Sequence, residues 1–221
     1  MKRVLRMLIG AMAIASLAAP MAYAIPTCEP TSQIATTNYP GVEKIPTSNN
    51  LLIPPTKSVP VEGQQLILSG RIVDRHCMPV PEAIVEIWQA DPFGRWFLAS
   101  ARDLASPDPT FAGAGRTVTD GEGRFTFITV FPGAVPSRFV KGVQTYRTPH
   151  INIRIKADGF KNFSTVLFFA NDRRNKEDDV YQALSMERRG SVAVAVTPDD
   201  HGVLNGGVNL VLPGYTPYRT Y

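Results

Sequence analysis

Short segments rich in β-branched and aromatic residues, each bounded by turn residues, recur from Gln64 towards the C-terminus of this chain. The clearest pair is a hairpin, in which a turn at 120–123 (Asp-Gly-Glu-Gly) joins segments 116–119 and 124–129. One short helix is predicted, around residues 180–186. About eight strands with regular turn signals and little helix predict an all-β fold, an antiparallel β-sandwich with long loops.

The segment 146–156 is the most informative of these strands. Every second residue from Ile151 to Ile155 is isoleucine, and the residues between them, from His150 to Lys156, are polar. The strand therefore has one apolar and one polar face. This spacing alone favours a histidine on an edge strand of a half-solvated sheet. The alternative, a histidine aimed into a cavity where the strand meets a long loop, stays open.

Residues 1–24 have the pattern of a signal peptide. Three basic residues precede an apolar stretch, and Ala22-Tyr23-Ala24 is a small-x-small cleavage pattern. The apolar stretch is too short to span a bilayer, and no later segment reaches the length of a transmembrane helix. We therefore expect export, to the periplasm or as a secreted protein, and no transmembrane segment.

Removal of residues 1–24 changes the charge of the chain. The 23 basic residues become 20 against 19 acidic ones, so the formal net charge falls from +4 to +1. This near balance gives no basis for nucleic-acid binding. Residues 25–63, rich in Pro, Thr and Ser, predict an extended arm, and residues 64–221 predict one β-sandwich domain.

Cys28 lies in the arm and Cys77 lies in a predicted turn of the domain. In an oxidising compartment the two could form a disulfide that ties the arm to the body. Two unpaired thiols remain the alternative, because a sequence cannot show that two cysteines are close. His76 and His201, both in predicted turns, are interpreted as solvated turn residues.

Several blocks of the chain resemble the intradiol ring-cleavage dioxygenase family. The resemblance rests on segments 70–74, 79–91 and 108–120, on Pro132-Gly133, and on an arginine three residues before His150. It runs from about residue 50 to residue 212. It implies a β-sandwich that holds mononuclear Fe(III) with two tyrosines and two histidines and opens catechol-type rings with O₂. Hard Fe(III) suits phenolate and imidazole ligands, and a nearby arginine can stabilise charge on the substrate.

Carried over by position, three of the four iron ligands that the resemblance implies are replaced. Trp96 and Val135 stand where the family has tyrosines, and Asn152 stands where it has the second histidine. Only the ligand position of His150 matches. The resemblance implies a catalytic role for Arg147. Its neighbour Tyr146 is a speculative substitute phenolate, although in a regular strand the two would face opposite ways.

Three functions follow as hypotheses. The first is an exported family member with a degenerate ferric site that serves as a non-catalytic subunit or binding module, as the iron-free α subunits of the family do. It would contact a protein partner or an oligomer of the same fold, and could take a small aromatic ligand. The alternative is an active oxidoreductase whose Fe(III) site is rebuilt or completed by a partner; otherwise no cofactor is expected. The second alternative is a structural envelope component with contacts from the arm and from Tyr215, Tyr218 and Tyr221.

Overall fold

The computed structural model describes residues 26–52, 62–96 and 111–216. The predicted signal peptide, residues 97–110 of the long loop, and Tyr218 and Tyr221 lie outside the described residues. The described strands and α-helices are β1 (Gln65–Val73), β2 (Ile84–Gln89), β3 (Ala114–Val118), β4 (Arg124–Val130), β5 (Val135–Val140), β6 (Val143–Arg147), β7 (His150–Lys156), β8 (Phe163–Phe169), α1 (Asp179–Gln182), α2 (Met186–Ser191), β9 (Ala193–Pro198) and β10 (Leu204–Val211). Single 3₁₀ turns lie at Val42–Lys44 and Arg173–Lys176.

Eight of the described strands form a sheet in the order β3-β2-β7-β8-β9-β10-β1-β4, and β5 pairs only with β6. The all-β prediction is confirmed. The expectation of a wholly antiparallel arrangement is wrong in two places, because β1 runs parallel to β10 and β8 runs parallel to β9. Each parallel pair is separated by a long stretch of chain, so no local turn signal sets its direction.

The two halves of the sheet share one apolar core. Leu68 and Phe127 from the β1–β4 half belong to the same buried cluster as Ile151, Ile153 and Phe169 from the β7–β8 half. The isoleucines of β7 therefore lie on the inner face, as the period-two pattern predicts. This core fixes β7, and with it the residues on the other face of that strand.

The interpretation of β7 as a half-solvated edge strand is wrong. β7 lies between β2 and β8, and on its second face His150 is 2% exposed and Asn152 is fully buried. The arm and the helical segment cover that face, since Ile34 and Leu184 pack with Phe168 of the neighbouring strand. A strand pattern cannot reveal a cover that comes from elsewhere in the chain.

The arm is extended over residues 26–52 and is held to the body at several points. Cys28 and Cys77 are joined in a disulfide. Farther along, the indole Nε1 of Trp88 donates to the carbonyl oxygen of Thr37 at 2.7 Å, and Leu51 is buried in the main core. The arm is therefore fixed to the surface of the domain next to β2 and β7.

The section 131–148 contains the β5–β6 ribbon. Its two-residue turn consists of Lys141 and Gly142, with φ values of 51° and 82°. Positive φ at both positions is the signature of a type I′ hairpin turn. The single helix predicted at 180–186 is wrong, because two short helices, α1 (Asp179–Gln182) and α2 (Met186–Ser191), overlap the two ends of that range. No helix in the described ranges combines the length and apolar character that crossing a bilayer would need.

Candidate functional site

The start of β7 gathers most of the residues that the sequence singles out. His150 and Asn152 lie on one face of the strand, and the indole ring of Trp96 lies 6.0 Å from the His150 ring, centroid to centroid, in an edge-on arrangement. Val135 pairs with Arg147 across the β5–β6 ribbon, and Arg147 lies three residues before His150. The four positions matched to iron ligands and the matched arginine thus belong to one region of the fold.

A tight turn after β2 sets the position of Trp96. The buried carboxylate of Asp91 accepts a hydrogen bond from the backbone N–H of Arg95 at 2.9 Å and pairs with its side chain. Gly94 has φ of 81°, and a Cβ there would collide with the carbonyl oxygen of Ala134. Glycine is required because the turn approaches the backbone before β5 so closely. That approach brings the Trp96 and Val135 segments together.

His150 is held as a neutral imidazole. Its Nδ1 lies 2.6 Å from the carbonyl oxygen of Thr148. A carbonyl oxygen only accepts, so Nδ1 carries the proton and donates a hydrogen bond to that oxygen. Burial, together with the smaller effect of the positive charge of Arg147, lowers the pKa of His150 to about 4, although the Thr148 hydrogen bond and Asp178 act in the opposite direction. The Nε2 lone pair is buried and has no hydrogen-bond partner.

Two further buried polar atoms in this region lack hydrogen-bond partners. The amide nitrogen of Asn152 lies 3.4 Å from the carbonyl oxygen of Trp88, but its Oδ1 is unpaired. Nη2 of Arg147 is also buried and unpaired. Together with His150 Nε2 they make two acceptors and one donor without partners. An unmet buried polar group costs roughly 1–3 kcal/mol, so such a cluster indicates a place where a ligand, water or partner group binds.

Asp178 organises the entry to β7. Its Oδ2 accepts hydrogen bonds from Nε of Arg147 and from the backbone N–H of Thr148, both at 2.8 Å. Its Oδ1 accepts from the backbone N–H of Tyr181 at 2.9 Å and so caps α1. One fully buried carboxylate therefore joins the end of β6, the residue that orients His150, and the first helix.

The described residues do not fit Fe(III). The indole of Trp96 has only a donor N–H and Val135 has no donor atom, so Nε2 of His150 and Oδ1 of Asn152 are the candidate ligand atoms at the matched positions. The structure places Tyr146 at the surface, 52% exposed, in the register position opposite Pro136. The residues that the structure describes contain no cluster of three or more His, Cys, Asp or Glu side chains able to hold a metal.

The other two histidines lie away from this region. The ring of His76 packs against that of Tyr215, with 4.2 Å between centroids, beside the disulfide. His201 is an exposed turn residue. Sequence reasoning missed Asp178 and Thr148. The only local signal for Asp178 was an acidic residue ahead of a short helix, where N-caps occur.

Acidification is expected to weaken folding through His150. The unfolded imidazole takes up a proton near its ordinary pKa of 6.5, whereas the folded one does so only near a pKa of about 4. The unfolded state therefore binds more protons between these values. The contribution of the neutral His150 to the free energy of unfolding is complete above pH 6.5, declines as the pH falls, and is lost by about pH 4. It amounts to about 3 kcal/mol at most.

Urea denaturation across this pH range would measure the decline. His150→Gln should flatten the curve relative to the wild type, and His201→Gln, at an exposed turn, should leave it unchanged. Equal pH dependence in the wild type and His150→Gln would show that the buried imidazole does not carry the effect.

The chain is similar in sequence to known dioxygenases. A protein-family model described as Dioxygenase matches residues 42–205. The protocatechuate 3,4-dioxygenase beta chain of Burkholderia cepacia is 35% identical over 121 residues, which are 54% of this chain and 51% of that relative. The alpha chain from the same organism is 32% identical over 145 residues, which are 64% of this chain and 68% of that relative. The chain thus spans about half the length of the first of these relatives.

Solved structures show the same architecture. The dioxygenase domain of a dioxygenase carbohydrate-binding protein fusion from Streptomyces sp. SirexAA-E superposes with a TM-score of 0.61 at 25% identity, covering 84% of this chain and 99% of that chain. An intradiol ring-cleavage dioxygenase from Tetranychus urticae gives a TM-score of 0.62 at 23% identity, covering 86% of this chain and 98% of that chain. At this identity the second likeness concerns the fold alone.

Proposed function

This chain belongs to the intradiol ring-cleavage dioxygenase family, and we propose that it is an exported, non-catalytic subunit or binding module built on that fold. The observation that carries the proposal is the donor set at the matched ligand positions. Trp96 and Val135 remove both phenolates, and Asn152 removes one imidazole. A fold does not supply an activity whose site residues are missing.

The region around His150 retains the means to bind a small ligand. Nε2 of His150 and Oδ1 of Asn152 accept hydrogen bonds, and Nη2 of Arg147 donates one. Trp96 and Phe168 contribute aromatic surface beside the imidazole. A planar aromatic ligand with hydroxyl donors and one acceptor group has the kinds of polar groups that these atoms lack.

A protein partner of the same fold is the second part of the proposal. Two of the relatives are named as alpha and beta chains of one enzyme, and this chain resembles both. A subunit without its own metal site could wall the site of such a partner. Export rests on the pattern of residues 1–24, and the mass of the purified, exported protein would test it through the loss of that segment.

Metal content and the visible spectrum of the exported protein test the proposal directly. We expect colourless protein without stoichiometric iron, since a ferric site with tyrosinate ligands would produce a strong charge-transfer band. Stoichiometric iron with that band would instead support the alternative, an active oxidoreductase with a rebuilt Fe(III) site, and a catechol turnover assay would follow. Iron that appears only after mixing with a partner protein would support a partner-completed site.

Restoring one imidazole is expected to be insufficient. The variant Asn152→His should bind no stoichiometric iron, because Trp96 and Val135 still lack a phenolate. The matched comparison is a triple variant with Trp96→Tyr and Val135→Tyr added, which supplies the full donor set. Iron binding or ring cleavage by Asn152→His alone would refute this reading of the site.

A further inference from the structure

The tip of the β5–β6 ribbon, residues 139–143, is an exposed apolar surface. Phe139 is 71% exposed, Val140 is 42% exposed and Val143 is 67% exposed. The apolar side chains of β7, the next strand along the chain, are in contrast buried. The ribbon pairs with no other strand of the described sheet, so its tip stands apart from the core. Exposed apolar clusters of this kind mark interaction surfaces.

The tip is apolar on both faces of the ribbon. Val140 pairs with Val143 and these two share one face, whereas Phe139 pairs with Gln144 and lies on the other. A flat protein surface could cover only one of these faces. If the tip inserts end-on into a fluid apolar medium, the medium surrounds both faces.

The charged residues of the ribbon are all basic. Segment 136–147 contains three basic residues and no acidic one. Arg138 pairs with Asp179 and Arg147 pairs with Asp178. Lys141, exposed at the turn between the apolar residues, has no ion-pair partner in the described part of the chain. An unpaired lysine at an apolar tip complements an anionic surface.

The area of the tip also distinguishes the occupants. Three partly exposed side chains provide on the order of 300 Å² of apolar surface, whereas a stable protein interface buries about 800 Å² on each partner. The tip alone is too small for a stable dimer. It is sufficient for shallow insertion at a lipid headgroup boundary, where apolar area and basic charge act together.

We propose that the β5–β6 tip docks this protein on a bilayer surface that contains anionic phospholipid. Phe139, Val140 and Val143 enter the boundary between headgroups and acyl chains, and Lys141 contacts the headgroup phosphates. The type I′ turn keeps the tip narrow, and at the tip Phe139 pairs with Gln144 and Val140 pairs with Val143. The proposal does not depend on whether the His150 region binds iron or an organic ligand.

Vesicle flotation tests the proposal with protein from which residues 1–24 have been removed, as verified by mass. Wild-type protein should float with vesicles of phosphatidylcholine and phosphatidylglycerol and much less with phosphatidylcholine alone. Phe139→Ser combined with Val143→Ser should weaken partitioning by at least about tenfold, and Lys141→Glu should weaken it by roughly tenfold on the anionic vesicles only. Met78→Ser, at a 56% exposed apolar residue in another turn, is the control and should partition like the wild type.

Two results would overturn the proposal. The first is a failure of wild-type protein to float with anionic vesicles, and the second is a loss of partitioning in the Met78→Ser control as large as that in the tip variants. A concentration-dependent dimer that sedimentation detects in the wild type, and that the tip variants lose, would assign the tip to a second copy of the chain if no flotation occurs. Because the substituted side chains are exposed, unchanged unfolding midpoints would confirm that each variant is folded.

Discussion

Replacing Asp178 by alanine is expected to lower the free energy of unfolding by about 3–5 kcal/mol. The carboxylate is fully buried, and its partner Arg147 is only 16% exposed at the side chain. Alanine would leave that guanidinium without its counter-charge and would leave the backbone N–H groups of Thr148 and Tyr181 without their acceptor. Urea denaturation at neutral pH measures the loss.

The neighbouring residue provides the matched control. Asp179 pairs with Arg138, but both side chains are about two-thirds exposed, at 71% and 67%. Asp179→Ala should therefore cost less than about 1 kcal/mol, because solvent screens a surface pair. A double variant that adds Arg147→Met to Asp178→Ala should recover part of the loss, since no unpaired charge then remains buried. Equal losses in Asp178→Ala and Asp179→Ala would contradict this account of the network.

A loss of this size would also affect the candidate site. Asp178 fixes the backbone of Thr148, and the carbonyl oxygen of Thr148 sets which nitrogen of His150 carries the proton. The free Nε2 therefore depends on a residue that contacts no ligand. Such a dependence is typical of sites in which a second layer of residues orients the first.

The local part of the fold could be predicted from the sequence, whereas the assembly could not. The strands β3 and β4 and the turn between them at Asp120-Gly121 are encoded by adjacent residues, and β7 by its alternating isoleucines. The predicted hairpin is nevertheless wrong, because β3 pairs with β2 and β4 pairs with β1. The β5–β6 turn was missed because Lys141 adopts positive φ, which is uncommon for a residue with a side chain. The parallel neighbour of β1 comes from the far end of the chain, and β9 follows β8 only after the helical segment, so no local turn signal encodes either pairing.

The site divides in the same way. Trp96, Val135 and Asn152 could be located in the sequence because each falls within a motif block with fixed spacing. The burial of His150 could not, because its cover includes Trp96 from a turn and Phe168 from the next strand. Period-two patterns report the polarity of a face but not what packs on it. Polar residues on a covered face are therefore the positions at which a sequence pattern underestimates burial.

Removing the Cys28–Cys77 disulfide is expected to have the second large effect on stability. The two cysteines are 49 residues apart in sequence, and the chain-entropy relation for a loop of that length gives about 4 kcal/mol. Measured losses for native disulfides of exported domains are about 2–5 kcal/mol, so a Cys28→Ser/Cys77→Ser variant should lie in this range.

The effect should act mainly on the unfolded chain, because other contacts still dock the arm. Thr31 exchanges hydrogen bonds with Val211, Trp88 donates to Thr37, and Leu51 stays in the core. The variant should therefore keep the native tryptophan fluorescence, and its denaturant m-value should rise as the unfolded chain expands. Each single serine variant should match the double variant in stability, since either one opens the loop. Two free thiols in labelled, non-reduced wild-type protein, or unchanged stability in the double variant, would contradict the expectation. If fluorescence changed together with stability, the disulfide would instead be holding the arm in place over β2 and β7.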